Sequence, residues 1–377
     1  MRVALIAPHI PDYCIEYSRV VAETCDVLLC IADKYSTHAR PNFNSRLEID
    51  WLSWPRQREV VSSFPFIRRL SRRILQWRPD VVHFLCESNL WLNLLALMLK
   101  SVPIVTTVHD VELHPGDYSS SRVPRFLIKN LVWQSDAIIV HGDKLRAEAS
   151  RKLPVKSDKV FVVPHPPLKY YLELAKQGSF RKPDDGIFRI LFFGRIYEYK
   201  GLRYLLEAAP LVHRKVPRVQ FVIAGTGDDV LANYPGLNDI PFIRFDNQFI
   251  PTYDAARLFA EADLLVLPYI EASQSGVLMI ALPFGLPVVA TEVGEIAALV
   301  RSCGTGLVVP PRNVAALVAA ITKIALDNEL RNLFSNNAKQ AVAGEYSEKK
   351  ISATAFRIYQ KITNKHCQGL EMPTTCG

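Results

Sequence analysis

Short apolar runs alternate with longer amphipathic stretches along the chain, a pattern typical of β-α-β units built around parallel sheets. In the first half, the apolar runs predict buried strands at residues 3–7, 27–31, 81–84, 104–108, 137–140 and 160–163. The amphipathic stretches predict crossover helices at residues 18–24, 66–77, 90–99, 125–133 and 144–152. The first half is therefore expected to form one doubly wound α/β domain.

The alternation pauses at residues 164–185, where proline, glycine and aspartate are typical of a linker. It then restarts and predicts strands at 190–193, 219–224, 242–245, 264–267, 288–290 and 307–309. Helices are predicted at 201–214, 253–261, 276–283, 313–327, 329–343 and 348–362. We therefore expect an N-terminal domain at 1–167, a linker at 168–187 and a C-terminal domain at 188–347. A last helix within 348–365 is expected to cross back to the N-terminal domain, and residues 366–377 to form a frayed tail.

The composition of the 377-residue chain excludes several classes of protein. With 49% hydrophobic and 22% charged residues, the chain is not disordered, collagen-like or a coiled coil. The longest apolar stretch, at 90–99, is well short of the roughly 20 residues that span a bilayer. The seven cysteines are scattered without Cys-x-x-Cys spacing, so we expect reduced thiols in a cytoplasmic protein.

A loop that carries two cations follows the strand predicted at 190–193. Gly194 allows a tight exit from the strand, and Arg195 and Lys200 then precede the helix predicted to begin at Gly201. The free N–H groups of a helix N-terminus already favour an anion, and two cations on one loop suit a diphosphate. The alternative interpretation is a solvated basic loop.

The loop at 268–278 also joins a strand to a helix. Ser273 or Ser275 can cap that helix, and Gly276 lets a phosphate approach the backbone amides. Glu271 lies at the loop entrance, where a carboxylate can hold sugar hydroxyls. Alone, this loop is more simply an ordinary N-cap beside an exposed acid. However, both loops follow strands of one domain, and ligands of such sheets bind at strand ends.

The sequence predicts neither a cofactor nor a bound metal. Gly225-Thr226-Gly227 follows a predicted strand but lacks the third glycine of a dinucleotide-binding fingerprint. No histidine cluster has the spacing of metal ligands, and no zinc motif is present.

Several short motifs in both halves of the chain resemble those of a known family. Gly-Arg-x4-Lys-Gly at 194–201, Ser-Gly-Val at 275–277 and Gly-Leu-Pro-Val-Val-Ala-Thr at 285–291 resemble the C-terminal domain of family 4 glycosyltransferases. Thr-Val-His-Asp at 107–110 and the segments at 78–83, 135–141 and 162–165 fit the same family. The similarity covers residues 1–362 and implies the GT-B fold, in which two Rossmann-like, doubly wound domains face each other across a cleft.

The resemblance also implies a function. The chain is expected to be a retaining, metal-independent glycosyltransferase of the hexosyltransferase type. It would move a sugar from a nucleotide-diphosphate donor to a saccharide or lipid-linked saccharide, as in cell-surface polysaccharide or glycolipid synthesis. The residues that would bind the donor diphosphate are Arg195 and Lys200, with the amides of Ser275, Gly276 and Val277. His109 would lie near the transferred sugar and, with Glu271, would position it.

The chain departs from the family pattern in both halves. The second glutamate of the family's Glu-x7-Glu motif aligns with Ile280, and Glu271 is the candidate for the first. A further family glutamate falls at Ala298, with Glu295 offset from it, and the usual glycine pair after the first strand is absent at 8–13. The missing glutamate leaves one alternative function, a catalytically inactive glycosyltransferase-like binding or scaffold subunit.

The net charge of +8 suggests a further partner. In the helix predicted at 66–77, an apolar stripe (Phe66, Leu70, Ile74, Trp77) is flanked by Arg68, Arg69, Arg72 and Arg73. A basic amphipathic helix with aromatic residues can bind an anionic membrane, here at its inner face. The alternative is a crossover helix that packs its stripe on its own sheet and leaves the arginines in solvent. No nucleic-acid-binding module is recognised, so nucleic acid is not a predicted partner.

Overall fold

The computed structural model describes residues 1–38, 44–56, 59–112 and 124–370. Contacts divide these residues into two units. The first holds the described residues up to Pro166 together with those from Tyr346 onward, and the second runs from Pro167 to Glu345. Each unit is built on one parallel sheet, as the alternating pattern of the sequence predicts.

The described residues of the first unit form a seven-stranded sheet in the order β3-β2-β1-β4-β5-β6-β7, with every pair parallel. Its strands are β1 (Arg2–Ala7), β2 (Asp26–Ala32), β3 (Leu47–Leu52), β4 (Val81–Phe84), β5 (Ile104–Thr107), β6 (Ala137–Val140) and β7 (Val160–Val162). Val3 of β1 lies opposite both Val27 of β2 and Val81 of β4. Because β1 is paired on both edges, all its apolar side chains are buried.

Helices cover both faces of this sheet. They are α1 (Pro11–Val21), α2 (Val60–Trp77), α3 (Leu92–Met98), α4 (Arg125–Gln134) and α5 (Asp143–Lys152). Side chains alternate along β1, so that Val3 and Leu5 pack with α1, whereas Ala4 and Ile6 pack with α2 and α3. The unit therefore has an apolar core on each side of its sheet.

The second unit has a six-stranded parallel sheet in the order β10-β9-β8-β11-β12-β13. Its strands are β8 (Phe188–Phe193), β9 (Val219–Gly225), β10 (Ile243–Asn247), β11 (Leu264–Leu267), β12 (Val288–Thr291) and β13 (Gly306–Val309). Its helices are α6 (Tyr170–Gln177), α7 (Leu202–Lys215), α8 (Val230–Asn233), α9 (Thr252–Glu261), α10 (Gly276–Phe284), α11 (Gly294–Ser302), α12 (Val314–Leu326) and α13 (Asn328–Ala343).

The last helix, α14 (Glu348–Leu370), belongs to the first unit although it follows the second in sequence. Ile351, Ala355 and Ile358 are buried in the same core as α1 and β1. The Tyr359 hydroxyl lies 2.8 Å from His83 Nδ1 and 3.2 Å from the Tyr17 hydroxyl. The helix continues through part of the segment predicted to be a frayed tail, and residues 371–377 of that prediction lie outside the described residues.

Several elements differ from the sequence predictions. The strand β3 was not predicted because it is an edge strand, paired only with β2, and alternates apolar and polar residues. The helix α6 lies inside the predicted linker, where Tyr171 and Ala175 are buried one helical turn apart. Helix α11, which follows β12, was also missed, and α1 begins at Pro11 rather than near residue 18.

The arginine-rich helix α2 packs its apolar stripe on its own sheet. Phe66, Leu70, Ile74 and Trp77 are all buried in the core between α2 and β4. Arg68, Arg69 and Arg72 are exposed, as predicted, whereas Arg73 is partly buried, with 35% of its side chain exposed. Its guanidinium pairs with Glu48 and, 2.9 Å away, with Asp50 of β3, because the edge strand brings two carboxylates to it. Arg73 is thus held in an ion pair with the edge strand β3.

Bulk features of the described residues are consistent with the sequence analysis. None of the helices formed by those residues is both long and apolar enough to cross a bilayer. Cys14, Cys25, Cys30, Cys86 and Cys303 are free thiols. The side chains of Cys367 and Cys376 lie outside the described part of the chain.

Because α14 completes the first unit's core, a cavity in it should destabilise that unit. Ile351→Ala is expected to cost about 2–5 kcal/mol, whereas Lys349→Ala, exposed on the same helix, should change stability by less than about 0.5 kcal/mol. Urea unfolding followed by tryptophan fluorescence measures this, since all five tryptophans (51, 54, 77, 91 and 133) lie in the first unit. Equal midpoints for the two variants would show that α14 is dispensable.

Candidate functional site

In each sheet the strand order reverses beside the first strand of that unit. The reversal lies between β1 and β4 in the first unit and between β8 and β11 in the second. The connections after these strands leave in opposite directions, which opens a crevice at the carboxyl edge where doubly wound sheets bind ligands. The loops singled out by sequence after β8 and β11 border the second of these positions.

Glycines allow close backbone contact around the loop that follows β8. A Cβ on Gly225 would collide with the Gly194 carbonyl oxygen, and one on Gly227 would collide with that of Ile196. Ile196 and Gly227 also pair as an isolated bridge. The Gly-Thr-Gly sequence is therefore explained by the packing of two loops, and it does not require a dinucleotide cofactor.

Lys200 lies between aromatic rings at the end of the loop after β8. Its side chain is buried, with Nζ 3.9 Å from the centre of the Tyr269 ring and 5.0 Å from that of Tyr199. Arg195 is exposed, and its guanidinium carbon lies 5.5 Å from the centre of the Tyr197 ring. The two cations predicted to bind a diphosphate thus differ, because one is held by packing and the other reaches solvent.

The N-terminus of α10 forms the other half of the predicted diphosphate site. Ser275 is the N-cap, and its Oγ accepts a hydrogen bond from the Leu278 N–H at 3.3 Å. A Cβ on Gly276 would meet no heavy atom within 4 Å, so the space beside this residue is open. A phosphate needs such an opening to reach the first amides of the helix, which include those of Gly276 and Val277.

Backbone contacts hold the loops after β8 and β11 together. A Cβ on Gly201, whose φ is +66°, would collide with the Pro268 carbonyl oxygen. The Ile270 N–H donates to the Tyr199 carbonyl at 2.7 Å. The structure thereby brings to neighbouring strand ends the five predicted diphosphate-binding residues, Arg195, Lys200, Ser275, Gly276 and Val277.

The carboxylates near this site are placed differently from one another. Glu271 is exposed in the loop before α10, whereas Ile280, which aligns with a family glutamate, is buried within α10. Glu295 lies in the first turn of α11, and its N–H donates to the Ser273 carbonyl at 2.9 Å. Glu295 therefore lies beside the loop that carries Ser275. The sequence analysis found Glu295 offset from the position of a family glutamate, which falls at Ala298.

His109, predicted to act near the transferred sugar, follows β5 in the first unit. It is buried, and its Nε2 lies 2.9 Å from the Leu85 carbonyl oxygen. Because a carbonyl only accepts, Nε2 carries the proton and donates it to this hydrogen bond. Burial lowers the pKa of His109 below its ordinary value, so the ring is held in its neutral form.

His109 belongs to a cluster of rings that the sequence analysis did not identify. Tyr13 lies 4.7 Å from His109, 5.1 Å from His141 and 4.9 Å from His165 between ring centres. His141 directly follows β6, and His165 lies just beyond β7, so the available signal was a histidine after each of three strands. His141 Nε2 is buried without a hydrogen-bond partner. Even so, the described residues hold no group of His, Cys, Asp or Glu side chains that could bind a metal ion.

Glu87, beyond the end of β4, is a second titratable group that sequence reasoning missed. Its side chain is buried, and the His109 N–H approaches Oε2 at 3.5 Å. Burial, followed by the nearby Asp110 charge, raises the pKa of Glu87 to about 8. At the carboxyl edge of the first sheet, His109, His141 and His165 and the carboxyl group of Glu87 are therefore all uncharged near neutral pH.

Two family models account for most of the sequence. The Glycosyltransferase Family 4 model matches residues 15–166, and the Glycosyl transferases group 1 model matches residues 187–327. The chain belongs to the group 1 glycosyltransferases of family 4. This glycosyltransferase carries the predicted diphosphate-binding residues within the second match and His109 within the first.

Curated relatives of the glycosyltransferase are similar over most of their length. The α-D-kanosaminyltransferase of Streptomyces kanamyceticus is 26% identical over 70% of this chain and 72% of its own length. The phosphatidyl-myo-inositol mannosyltransferase of Mycolicibacterium smegmatis is 24% identical over 78% of this chain and 75% of its own length. Both are transferases of sugars, as the family assignment requires.

Solved structures share the fold of this glycosyltransferase. Sucrose-phosphate synthase of Thermosynechococcus elongatus superposes with a TM-score of 0.73 at 17% identity, covering 97% of this chain and 100% of the other. The Anabaena HepE protein in complex with UDP-glucose superposes with a TM-score of 0.68 at 15% identity, with coverages of 97% and 100%. The fold is GT-B, as predicted from the sequence.

The buried histidines make the stability of the first unit pH-dependent. Burial lowers the pKa of His83 and His165 to about 3, and lowers those of His109 and His141 below 6.5. The unfolded chain binds these protons below about pH 6.5 while the folded unit does not, so stability falls as pH drops. Glu87 opposes this trend, because its raised pKa lets the folded unit bind one proton that the unfolded chain releases between about pH 4.5 and 8.

We expect urea midpoints, read by tryptophan fluorescence, to fall steeply between about pH 6.5 and 5. Each histidine adds about 1.4 kcal/mol per pH unit to the slope of the unfolding free energy against pH. His141→Phe keeps a packed ring and removes one titrating group, so the slope should decrease by that amount. A variant slope equal to the wild-type slope would show that His141 is not neutral in the folded unit.

Proposed function

We propose that this glycosyltransferase transfers a hexose from a nucleoside-diphosphate sugar to a saccharide or lipid-linked saccharide, with retention of configuration and without a metal ion. The observation that carries the proposal is the pairing of buried Lys200 with the open N-terminus of α10 at the β8–β11 reversal. A diphosphate is the anion that matches two such groups. Structural neighbours in complex with UDP and UDP-glucose support the donor class.

The proposed chemistry is charge stabilisation at the leaving group. The bond between the anomeric carbon and the phosphate oxygen breaks, and a bond to the acceptor hydroxyl oxygen forms on the same face of the sugar. The hydroxyl proton passes to an oxygen of the departing diphosphate. Lys200, Arg195 and the α10 amides stabilise the charge that develops there, a preorganised electrostatic role. His109 and Glu271 position the transferred sugar in this proposal, and Glu295 is a further carboxylate beside the donor loop.

An active enzyme is favoured over an inactive scaffold because the donor-side cation is built into the core of the second unit. Burying an ammonium group is costly unless nearby groups stabilise it. Two aromatic rings serve that purpose at Lys200. A binding subunit that no longer handled a diphosphate would have no use for this arrangement.

Removal of either cation should impair transfer while the fold survives. Lys200→Met keeps the side-chain stem and should lower kcat/KM by about 10²–10³-fold, the effect of losing one preorganised charge-stabilising group. Arg195→Ala should cost about tenfold, since an exposed cation is screened by solvent. The measurement is release of nucleoside diphosphate from a panel of UDP-, GDP- and ADP-sugars.

The matched control is Arg203→Ala, which removes an exposed cation at the second residue of α7 and should leave turnover unchanged. Circular dichroism and urea unfolding confirm that each variant is folded. Wild-type turnover in both Lys200→Met and Arg195→Ala would refute the assignment of the donor site.

An anionic membrane surface is the proposed partner of the first unit. Helices α2, α3 and α4 lie on one side of the sheet, and none of them contains an aspartate or a glutamate. Exposed Arg68, Arg69 and Arg72 lie on α2, while Phe126 and Trp133 of α4 are 68% and 70% exposed. Basic residues with exposed aromatic rings suit the headgroup region of a bilayer. A lipid-linked acceptor would be presented there.

Replacing Arg68, Arg69 and Arg72 together by glutamine should weaken binding to vesicles of phosphatidylglycerol and phosphatidylcholine. At about 1 kcal/mol per cation, the expected loss is about a hundredfold in a sedimentation assay. Glutamine at Lys349, Lys350 and Arg357 of α14, which packs on the other side of the sheet, is the control. Equal binding of the two triple variants would contradict the proposal. Wild-type binding to pure phosphatidylcholine vesicles as strong as to the anionic vesicles would contradict it as well.

A further inference from the structure

Tyr269 contacts both halves of the donor site. It is fully buried just after β11, and the face of its ring lies 3.9 Å from Lys200 Nζ. Its hydroxyl lies 3.3 Å from Ser275 Oγ, the side chain that caps α10. One side chain therefore links the cation of the β8 loop to the helix N-terminus of the β11 loop.

The backbone of Tyr269 is itself fixed in place. Thr291 Oγ1, at the end of β12, donates to the Tyr269 carbonyl at 2.6 Å. On either side of Tyr269, the Pro268 carbonyl faces Gly201 and the Ile270 N–H donates to Tyr199. The backbone that carries the ring is consequently fixed by contacts with the loop after β8 and with the end of β12.

An aromatic ring suits this position because of the way it stabilises a cation. The negative face of the ring attracts an ammonium group by about 0.5–2 kcal/mol, depending on desolvation. A carboxylate in the same place would also attract Lys200, but it would cancel the positive charge that a diphosphate needs. A ring face attracts the cation without placing a negative charge beside it.

We infer that Tyr269 is a positioning residue for the donor diphosphate: its ring face sets the position of Lys200, and its hydroxyl orients the Ser275 cap of α10. This inference rests on the proposed function, because it assigns to Tyr269 the alignment of groups that the proposal gives to the diphosphate. The alternative is that Tyr269 only fills space in the core of the second unit. The two differ in how the electron density of the ring affects anion binding.

The test replaces Tyr269 by phenylalanine and by phenylalanines that carry one, two or three ring fluorines. Fluorination withdraws electron density from the ring face and leaves the size of the side chain almost unchanged, so every variant should fold. Binding of inorganic pyrophosphate and of UDP is measured by calorimetry on the full chain. The Kd should rise stepwise along the series to about tenfold, a size that a buried cation–π contact supports. A space-filling residue would give a flat series.

The hydroxyl contact is tested separately by the first member of the series. Tyr269→Phe removes the oxygen near Ser275 and retains the ring face. We expect the Kd to increase about threefold, the effect of losing a modest hydrogen bond. Unchanged affinity would remove the Ser275 part of the inference. Tyr171→Phe is the matched control, because it makes the same change at a buried tyrosine of α6 and should leave binding unchanged.

A double-mutant cycle separates this inference from the proposed function. If Tyr269 acts through Lys200, fluorination should have little effect in the Lys200→Met background, so the two changes are not additive. Wild-type affinity in Lys200→Met alone would refute the donor site and the proposed function with it. Weak binding in Lys200→Met together with additive or absent effects at Tyr269 would overturn only the inference and leave the function standing.

Discussion

The close approach of Gly201 to the Pro268 carbonyl sets the distance between the loops that follow β8 and β11. A side chain at position 201 would collide with that oxygen, and the positive φ of Gly201 is itself unfavourable for other residues. With this contact in place, Tyr199 and Ile270 share a backbone hydrogen bond, and Lys200 reaches the Tyr269 ring. The arrangement of these two loops thus follows from backbone packing at the strand reversal.

The ionisable side chains at the carboxyl edges of the two sheets have different environments. In the second unit, aromatic rings pack against Lys200 near an open helix N-terminus. In the first unit, burial keeps the histidines neutral and raises the pKa of Glu87 until its carboxyl group is protonated near neutral pH. A positive edge suits a diphosphate, whereas neutral polar side chains suit hydroxyl groups. The contrast arises from burial and packing rather than from residue type alone.

Strongly apolar elements were predictable because a run of hydrophobic residues indicates directly that the element is buried. β1, β6 and β11 are paired on both edges, and continuous apolar runs identified each of them. The edge strand β3 and the short helix α6 were missed because each buries only part of its surface, which leaves a mixed pattern. Cations on a strand–helix loop could likewise be read from sequence, since Arg195 and Lys200 flank a predicted helix start.

Local sequence by itself determined the alternation of strands and helices, the parallel sheets and the loops that carry Lys200 and Ser275. Only the tertiary structure decided which distant residues join them. Tyr269 meets Lys200, Glu295 lies beside Ser273, Arg73 is neutralised by β3, and three histidines gather around Tyr13. The physical reason is that hydrophobic periodicity reports the burial of each element. Contacts between elements depend on strand order and register, which the pattern along one element does not contain.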